Sequence, residues 1–138
     1  MKKLYVDTNI YIDYWEDRKD KMRPLGEFAF NLFKRTIQCE FMIFYSELIE
    51  KEICKVCNIS EEECYTRFFK DLEIAGKLKF VNITNKILEN AKKLKNEMDM
   101  PIGDIIHYLI AKENSLFFVT RDYHFNKTNI KQGRPEEL

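Results

Sequence analysis

The sequence predicts an α/β fold, a mostly parallel central sheet of four to five strands with helices on both faces. Three observations predict it. Short runs of β character, rich in apolar residues, recur at 3–6, 41–45, 79–83 and 116–120. The stretches between them carry apolar residues at helical spacing, and capping or breaking residues stand at the joins. Strands buried on both faces read as apolar runs rather than as strict alternation, and their alternation with helices marks a parallel sheet.

Taken in order, Lys3 to Val6 forms the first strand, and Ile12 and Trp15 then recur at i and i+3, which gives strand, turn, helix. A charged loop from Arg18 to Arg23 follows. Pro24 stands at a first helical position, ahead of a stripe of Phe28, Leu32, Phe33 and Ile37. Phe41 to Tyr45 is the second strand, and Ser46 caps a helix that carries Leu48, Ile49, Ile53 and Val56. The capping-box pattern Ser60-Glu61-Glu62-Glu63 opens a third long helix through Phe68, Phe69 and Leu72, which Gly76 ends. Lys79 to Ile83 is the third strand, Thr84 caps the helix from Asn85 to about Asn96, and Pro101 with Gly103 punctuates the entry to a helix from Asp104 to Glu113. Leu116 to Thr120 is the fourth strand. The tail Lys131-Gln132-Gly133-Arg134-Pro135 reads as a loop that leads to a frayed acidic end.

The 138 residues suit one domain, 1–138. With 45% hydrophobic and 14% aromatic residues the chain has material for a packed core and no signature of disorder. Lysine plus arginine equals aspartate plus glutamate at 23 each, which excludes a protein that coats nucleic acid by bulk positive charge. Asp7, Asn9 and Asp13 interrupt the first apolar stretch, so it does not read as a signal peptide. No run reaches the ~18 apolar residues of a membrane span. The expected location is the cytoplasm, with Cys39, Cys54, Cys57 and Cys64 as reduced thiols and no fourth ligand to complete a zinc site.

The carboxylates carry the functional reading. Ligands of open parallel sheets bind beyond the carboxyl ends of the strands. Asp7 ends the first strand and Asp122 follows the fourth, while Asp104 opens a helix that is apolar almost all round. Capping or turn formation is the plain alternative for each aspartate. Glu52 falls between Leu48 and Val56 on the inward face of its helix, opposite Glu47, Glu50 and Lys51. An ionised glutamate facing inward is costly without a positive partner, and a metal ion shared with the aspartates would satisfy it. A shift of helical register would put Glu47 in its place. With carboxylates as the evident ligands and no imidazole or thiolate expected among them, the ion is hard, Mg²⁺ or Mn²⁺. Such ions suit phosphodiester hydrolysis.

Val6-Asp7-Thr8-Asn9-Ile10, Ser46 followed by Glu52-Ile53, Ile102-Gly103-Asp104 and Val119-Thr120-Arg121-Asp122 resemble, in order, the four motifs of PIN-domain nucleases. The resemblance spans nearly the whole chain. It implies a helix-flanked parallel sheet, Mg²⁺- or Mn²⁺-dependent cleavage of RNA, frequent homodimers and, for many small members, a role as a VapC-type toxin held by an antitoxin protein. Its acids fall on Asp7, Glu52, Asp104 and Asp122, as catalytic and metal-binding residues, and Thr8, Asn9 and Thr120 match polar positions that line the site. Where many members carry a further acid two residues after the last aspartate, this chain has His124. Ile49 stands where many toxins have threonine, and the helix after Asp104 is bulkier than usual.

Arg121 is the cation expected to touch a substrate phosphate, and Tyr11, Tyr14 and Tyr123 are candidates for base stacking. His107, within an apolar helix, reads as a hydrogen-bonded structural residue, and His124 as either that or an acid–base or metal-binding group. A catalytically silent RNA- or protein-binding subunit is the alternative function. A haloacid-dehalogenase-type phosphatase is disfavoured, because Asp7-Thr8-Asn9 lacks a second aspartate two residues on.

Overall fold

The computed structural model describes residues 1–138. Five strands, β1 (Lys2–Val6), β2 (Phe41–Ser46), β3 (Leu78–Val81), β4 (Phe117–Val119) and β5 (Gln132–Gly133), form one sheet in the order β3-β2-β1-β4-β5. Every pairing is parallel. Six helices join them: α1 (Thr8–Glu16), α2 (Leu25–Ile37), α3 (Glu47–Cys57), α4 (residues 61–74), α5 (Asn85–Lys95) and α6 (Ile102–Glu113). Helix α4 opens at Glu61–Cys64, passes through a π-helical turn at Tyr65–Phe69 and closes at Lys70–Ile74.

The capping residues act as the sequence suggests. Ser46, Ser60 and Thr84 each accept a hydrogen bond from the backbone N–H three residues on, which satisfies an otherwise orphan donor. At the other ends, Asn58 closes α3 and Gly76 follows α4, both in the left-handed region. The tail departs from expectation. It is not a loose loop, because Phe118 N–H donates to Lys131 O and Thr120 N–H to Gly133 O, so residues 131–133 add an edge strand to β4.

The chain steps outward from β1 to β2 to β3 and then crosses back to place β4 on the other side of β1. Right-handed parallel connections put the helices of the outward path on one face and, once the direction reverses, α5 and α6 on the other. Helix contacts follow that division, α1 with α2 and α3, and α5 with α6. The reversal lies between β1 and β4, and the ends of these two strands therefore frame the crevice where ligands of such sheets bind.

Leu4, Tyr5 and Val6 on β1, Ile43 on β2, Ile49 and Ile53 on α3, Ile105 and Ile110 on α6, and Phe118 and Val119 on β4 are all fully buried in one core. Each such side chain contributes roughly 1.5–3 kcal/mol relative to exposure. This rigid centre holds the strand ends in place.

Candidate active site

Asp7 is the first residue beyond β1 and occupies the N-cap position of α1, yet its side chain makes no capping bond. Its Oδ2 instead accepts from Thr120 Oγ1 at 2.7 Å, and the residue is only 7% exposed. The same Thr120 oxygen accepts the backbone N–H of Asp122 at 3.0 Å. One buried hydroxyl thus ties the acid after β1 to the acid after β4.

Glu52 lies on the inner side of α3, as its helical phase predicts. What meets it differs from expectation. Its Oε1 accepts from Thr8 Oγ1 at 2.9 Å and contacts His107 Nε2 at 2.6 Å, so protein donors, not a cation alone, compensate this carboxylate. Glu47, the register alternative, is exposed and paired with Lys51 at 2.7 Å, away from the cluster.

Asp104 lies in the first turn of α6 but caps nothing, since Pro101 holds the N-cap position. Its carboxylate gathers with the Asp122 carboxylate and the His124 imidazole, and one ligand atom of each lies within 4.8 Å of the others. Asp122 combines both readings: it accepts from the His124 backbone N–H at 2.9 Å as a cap and also meets His124 Nδ1 at 2.9 Å.

The electrostatics show a site with no lysine or arginine to offset its acids. Burial pushes the Asp7 carboxyl up to about 6, His107 and then Thr120 pull against that, and the Glu52 carboxylate adds to it. Burial and then the neighbouring Asp122 raise Asp104. Burial also works to raise Glu52, but the hydrogen bond and the charge of His107, with the hydrogen bond from Thr8, outweigh it and hold Glu52 below its ordinary value. None of the four acids is ion-paired with a lysine or arginine. Carboxylates raised by burial and by each other, open to solvent on the Asp104 side, fit a divalent cation. His124 stands close enough to Asp104 and Asp122 to add a nitrogen to the carboxylate oxygens, in keeping with the metal-binding alternative its position offers; Mn²⁺ accepts such a mixed set readily.

A family model described as PIN domain matches residues 4–131. The chain belongs to the PIN domain family. Solved structures share its fold at low identity. The sarcin-ricin-loop-cleaving toxin VapC20 of Mycobacterium tuberculosis is 12% identical, with a TM-score of 0.70, over 96% of this chain and 99% of that one. VapBC2 from Rickettsia felis, bound to a promoter DNA fragment, is 15% identical, with a TM-score of 0.67, over 96% and 98%. FitAcB from Neisseria gonorrhoeae is 16% identical, with a TM-score of 0.65, over 98% and 99%. A comparison with the curated proteins returns no match.

Within this PIN domain, several expected contacts take other forms. Arg121 is not free to hold a phosphate. Its Nε donates to Asp13 Oδ2 at 3.1 Å, and Nη1 and Nη2 donate to the two oxygens of Glu136 at 2.9 and 2.8 Å. Thr8 and Thr120 spend their hydroxyls on Glu52 and Asp7, so they orient acids. Asn9 is exposed on the first turn of α1 beside them. Tyr11 is fully buried among Phe33, Phe68 and Phe69 and is out of reach of a base, whereas Tyr14 and Tyr123 are exposed. The four cysteines are free, and burial raises the thiols of Cys54, Cys57 and Cys64.

Sequence reasoning missed the partnership of His107 with Glu52. They stand 55 residues apart, and no periodicity links a residue of α6 to one of α3. The available signal was a histidine in an otherwise apolar helix, one turn after Asp104.

Proposed function

We propose that this PIN domain is an Mg²⁺- or Mn²⁺-dependent endoribonuclease whose reacting site comprises Asp7, Glu52, Asp104 and Asp122. What supports it is that Asp104 and Asp122 stand together, Thr120 ties Asp7 to Asp122, and the Glu52 carboxylate raises both Asp7 and Asp104, with no lysine or arginine paired to any of them. Asp7, Glu52, Asp104 and Asp122, with His124, are the groups that would hold the ion. A divalent ion bound there supplies Lewis acidity and neutralises charge that develops on the phosphate during in-line displacement. The protein's own part is orientation. Thr120 fixes Asp7, Thr8 and His107 fix Glu52, and Asn9, exposed next to Thr8, would be a polar side chain for a phosphate oxygen.

Purified protein is expected to cleave single-stranded RNA with Mn²⁺ and to lose that activity in Asp7→Asn and Asp104→Asn. Cleavage that survives in both variants rejects the site. Binding of RNA without turnover at any Mn²⁺ concentration favours the silent subunit instead, a reading that His124 in place of an acid keeps in view.

The reading extends to a toxin held by an antitoxin, with the chain as a cytoplasmic homodimer. Its support is the likeness to the toxin VapC20 and to a toxin–antitoxin complex from Klebsiella pneumoniae, 20% identical with a TM-score of 0.61 over 96% of this chain and 97% of that one, and an apolar groove between α2 and α4. That groove of about 300 Å³ is lined by Tyr14, Phe30, Phe33, Ile37 and Phe68, with Phe30 half exposed. No helix is long and apolar enough to cross a membrane.

A further inference from the structure

Behind Glu52 runs a chain of buried polar groups that the acid cluster alone does not require. Ser46 Oγ lies 2.8 Å from Tyr5 OH, Tyr5 OH lies 2.8 Å from His107 Nδ1, and His107 Nε2 lies 2.6 Å from Glu52 Oε1. Tyr5 and Ser46 are fully buried and His107 is 1% exposed. The chain crosses four elements: the end of β2, the middle of β1, α6 and α3.

With a neutral His107, its direction follows from what each atom can do. Ser46 Oγ already accepts the backbone N–H of Ile49 at 3.3 Å, which leaves its proton for Tyr5. Burial holds the Tyr5 phenol well above its ordinary value, so it keeps its proton to donate. In the neutral imidazole only one nitrogen carries hydrogen, and that nitrogen must be Nε2, because Glu52 is acceptor-only when ionised. Ser46 therefore donates to Tyr5, Tyr5 to His107 Nδ1, and His107 Nε2–H to Glu52. Run the other way, the Ser46 hydroxyl would be left without an acceptor in a fully buried place.

At the end of the chain, Glu52 Oε1 takes two donors, His107 and Thr8, whereas Oε2 takes no hydrogen bond from the protein. We propose that His107 is a positioning residue, and that the Ser46–Tyr5–His107 chain locks the Glu52 carboxylate so that Oε1 is spent on the protein and Oε2 alone faces the acid cluster. The catalytic consequence rests on the nuclease reading; the geometry of the lock does not. Tyr5 touches neither Glu52 nor any substrate, yet its hydroxyl sets which nitrogen of His107 carries the proton. Without it the imidazole is free to take the Nδ1–H form and turn a lone pair toward the carboxylate.

Three measurements on the full chain test this. Long-range ¹H–¹⁵N spectra should show His107 as the Nε2–H tautomer, and a mixture of tautomers in Tyr5→Phe. With Mn²⁺ and single-stranded RNA, His107→Leu should lower kcat roughly 100-fold and Tyr5→Phe about 5-fold, each with KM near wild type, as expected for loss of preorganisation rather than of binding. His107→Gln, whose amide reaches the Nε2 position, should recover much of the loss. Mn²⁺ affinity read by electron paramagnetic resonance should fall about tenfold in His107→Leu, by analogy with other residues that orient a metal ligand. If wild type cleaves RNA and folded Tyr5→Phe and His107→Leu match it, the proposal is overturned. An Nδ1–H tautomer in wild type overturns it as well. If wild type cleaves nothing, the nuclease reading fails while the tautomer and the Mn²⁺ affinities still decide the lock; unchanged affinity in folded variants overturns it. Should His107→Leu not fold, Tyr5→Phe carries all three readouts.

Discussion

Asp7 and Glu52 sit where the protein has already answered each of their oxygens that faces inward. Asp7 takes the Thr120 hydroxyl, and Glu52 takes Thr8 and His107. On the other side, Asp104 is half-buried with no hydrogen bond to another side chain, Asp122 has only local partners, and His124 is exposed. One half of the cluster is wired into the core, and the other stands open to solvent. In the proposed nuclease this difference would separate two tasks, fixed geometry from the wired half and access from the open half.

The largest expected effect breaks the wired half outright. Asp7→Asn should lower Mn²⁺-dependent RNA cleavage by about a thousandfold, the upper range for removing one preorganised electrostatic group. An effect no larger than that of His124→Ala would erase the distinction between the halves.

Next comes stability against pH. The Asp7 carboxyl is raised from 3.8 to about 6, so its favourable protonated state is fully present below pH 4 and is lost as pH rises through 6. In metal-free protein this is a cost on the order of 3 kcal/mol by pH 8, and raised Asp104 shifts it the same way. Lowered Glu52 has the opposite sign, its contribution being lost only as pH falls below the usual carboxylate range. Melting in chelator should therefore show a fall in Tm from pH 5 to 8, and both Mn²⁺ and Asp7→Asn should reverse it. A flat profile would show that burial of Asp7 is not what sets the apo protein's stability.

A third measurement asks whether Arg121 belongs to either half. Removing it leaves Asp13, 2% exposed, with only Arg18 at 3.8 Å, so Arg121→Ala should destabilise the fold by about 2 kcal/mol in urea. KM for RNA should not change. A raised KM with normal stability would restore Arg121 as a phosphate contact.

The smallest effect sharpens the open half. His124→Ala should shift the Mn²⁺-to-Mg²⁺ affinity ratio toward Mg²⁺ by about tenfold, measured by calorimetry, with Tm nearly unchanged. An unaltered ratio would place His124 outside the metal's coordination.

How far the sequence reaches depends on the range of the interaction. Asp7 and Asp122 are legible because each follows an apolar run, and strand ends of a parallel sheet share a rim. Glu52 is legible from helical phase, but its partner is not: the 100° rotation per residue places it inward without saying that His107 waits there. Arg121 reads as a phosphate ligand from its neighbour Asp122, while its true partners lie 108 residues back and 15 ahead. Strand β5 is two residues long and contains a glycine, so no alternation or apolar run marks it; only the neighbouring edge of β4 makes it a strand.

The order of the strands also bears on when this fold becomes competent. Asp7 leaves the ribosome well before Asp122, and β4 must slot between β1 and β5 before the two face one another. A nascent chain halted before residue 117 holds Asp7 and Glu52 but lacks Thr120, Asp122 and His124. A nuclease of this design would thus stay harmless until its chain has been made past β4 and the residues that follow it.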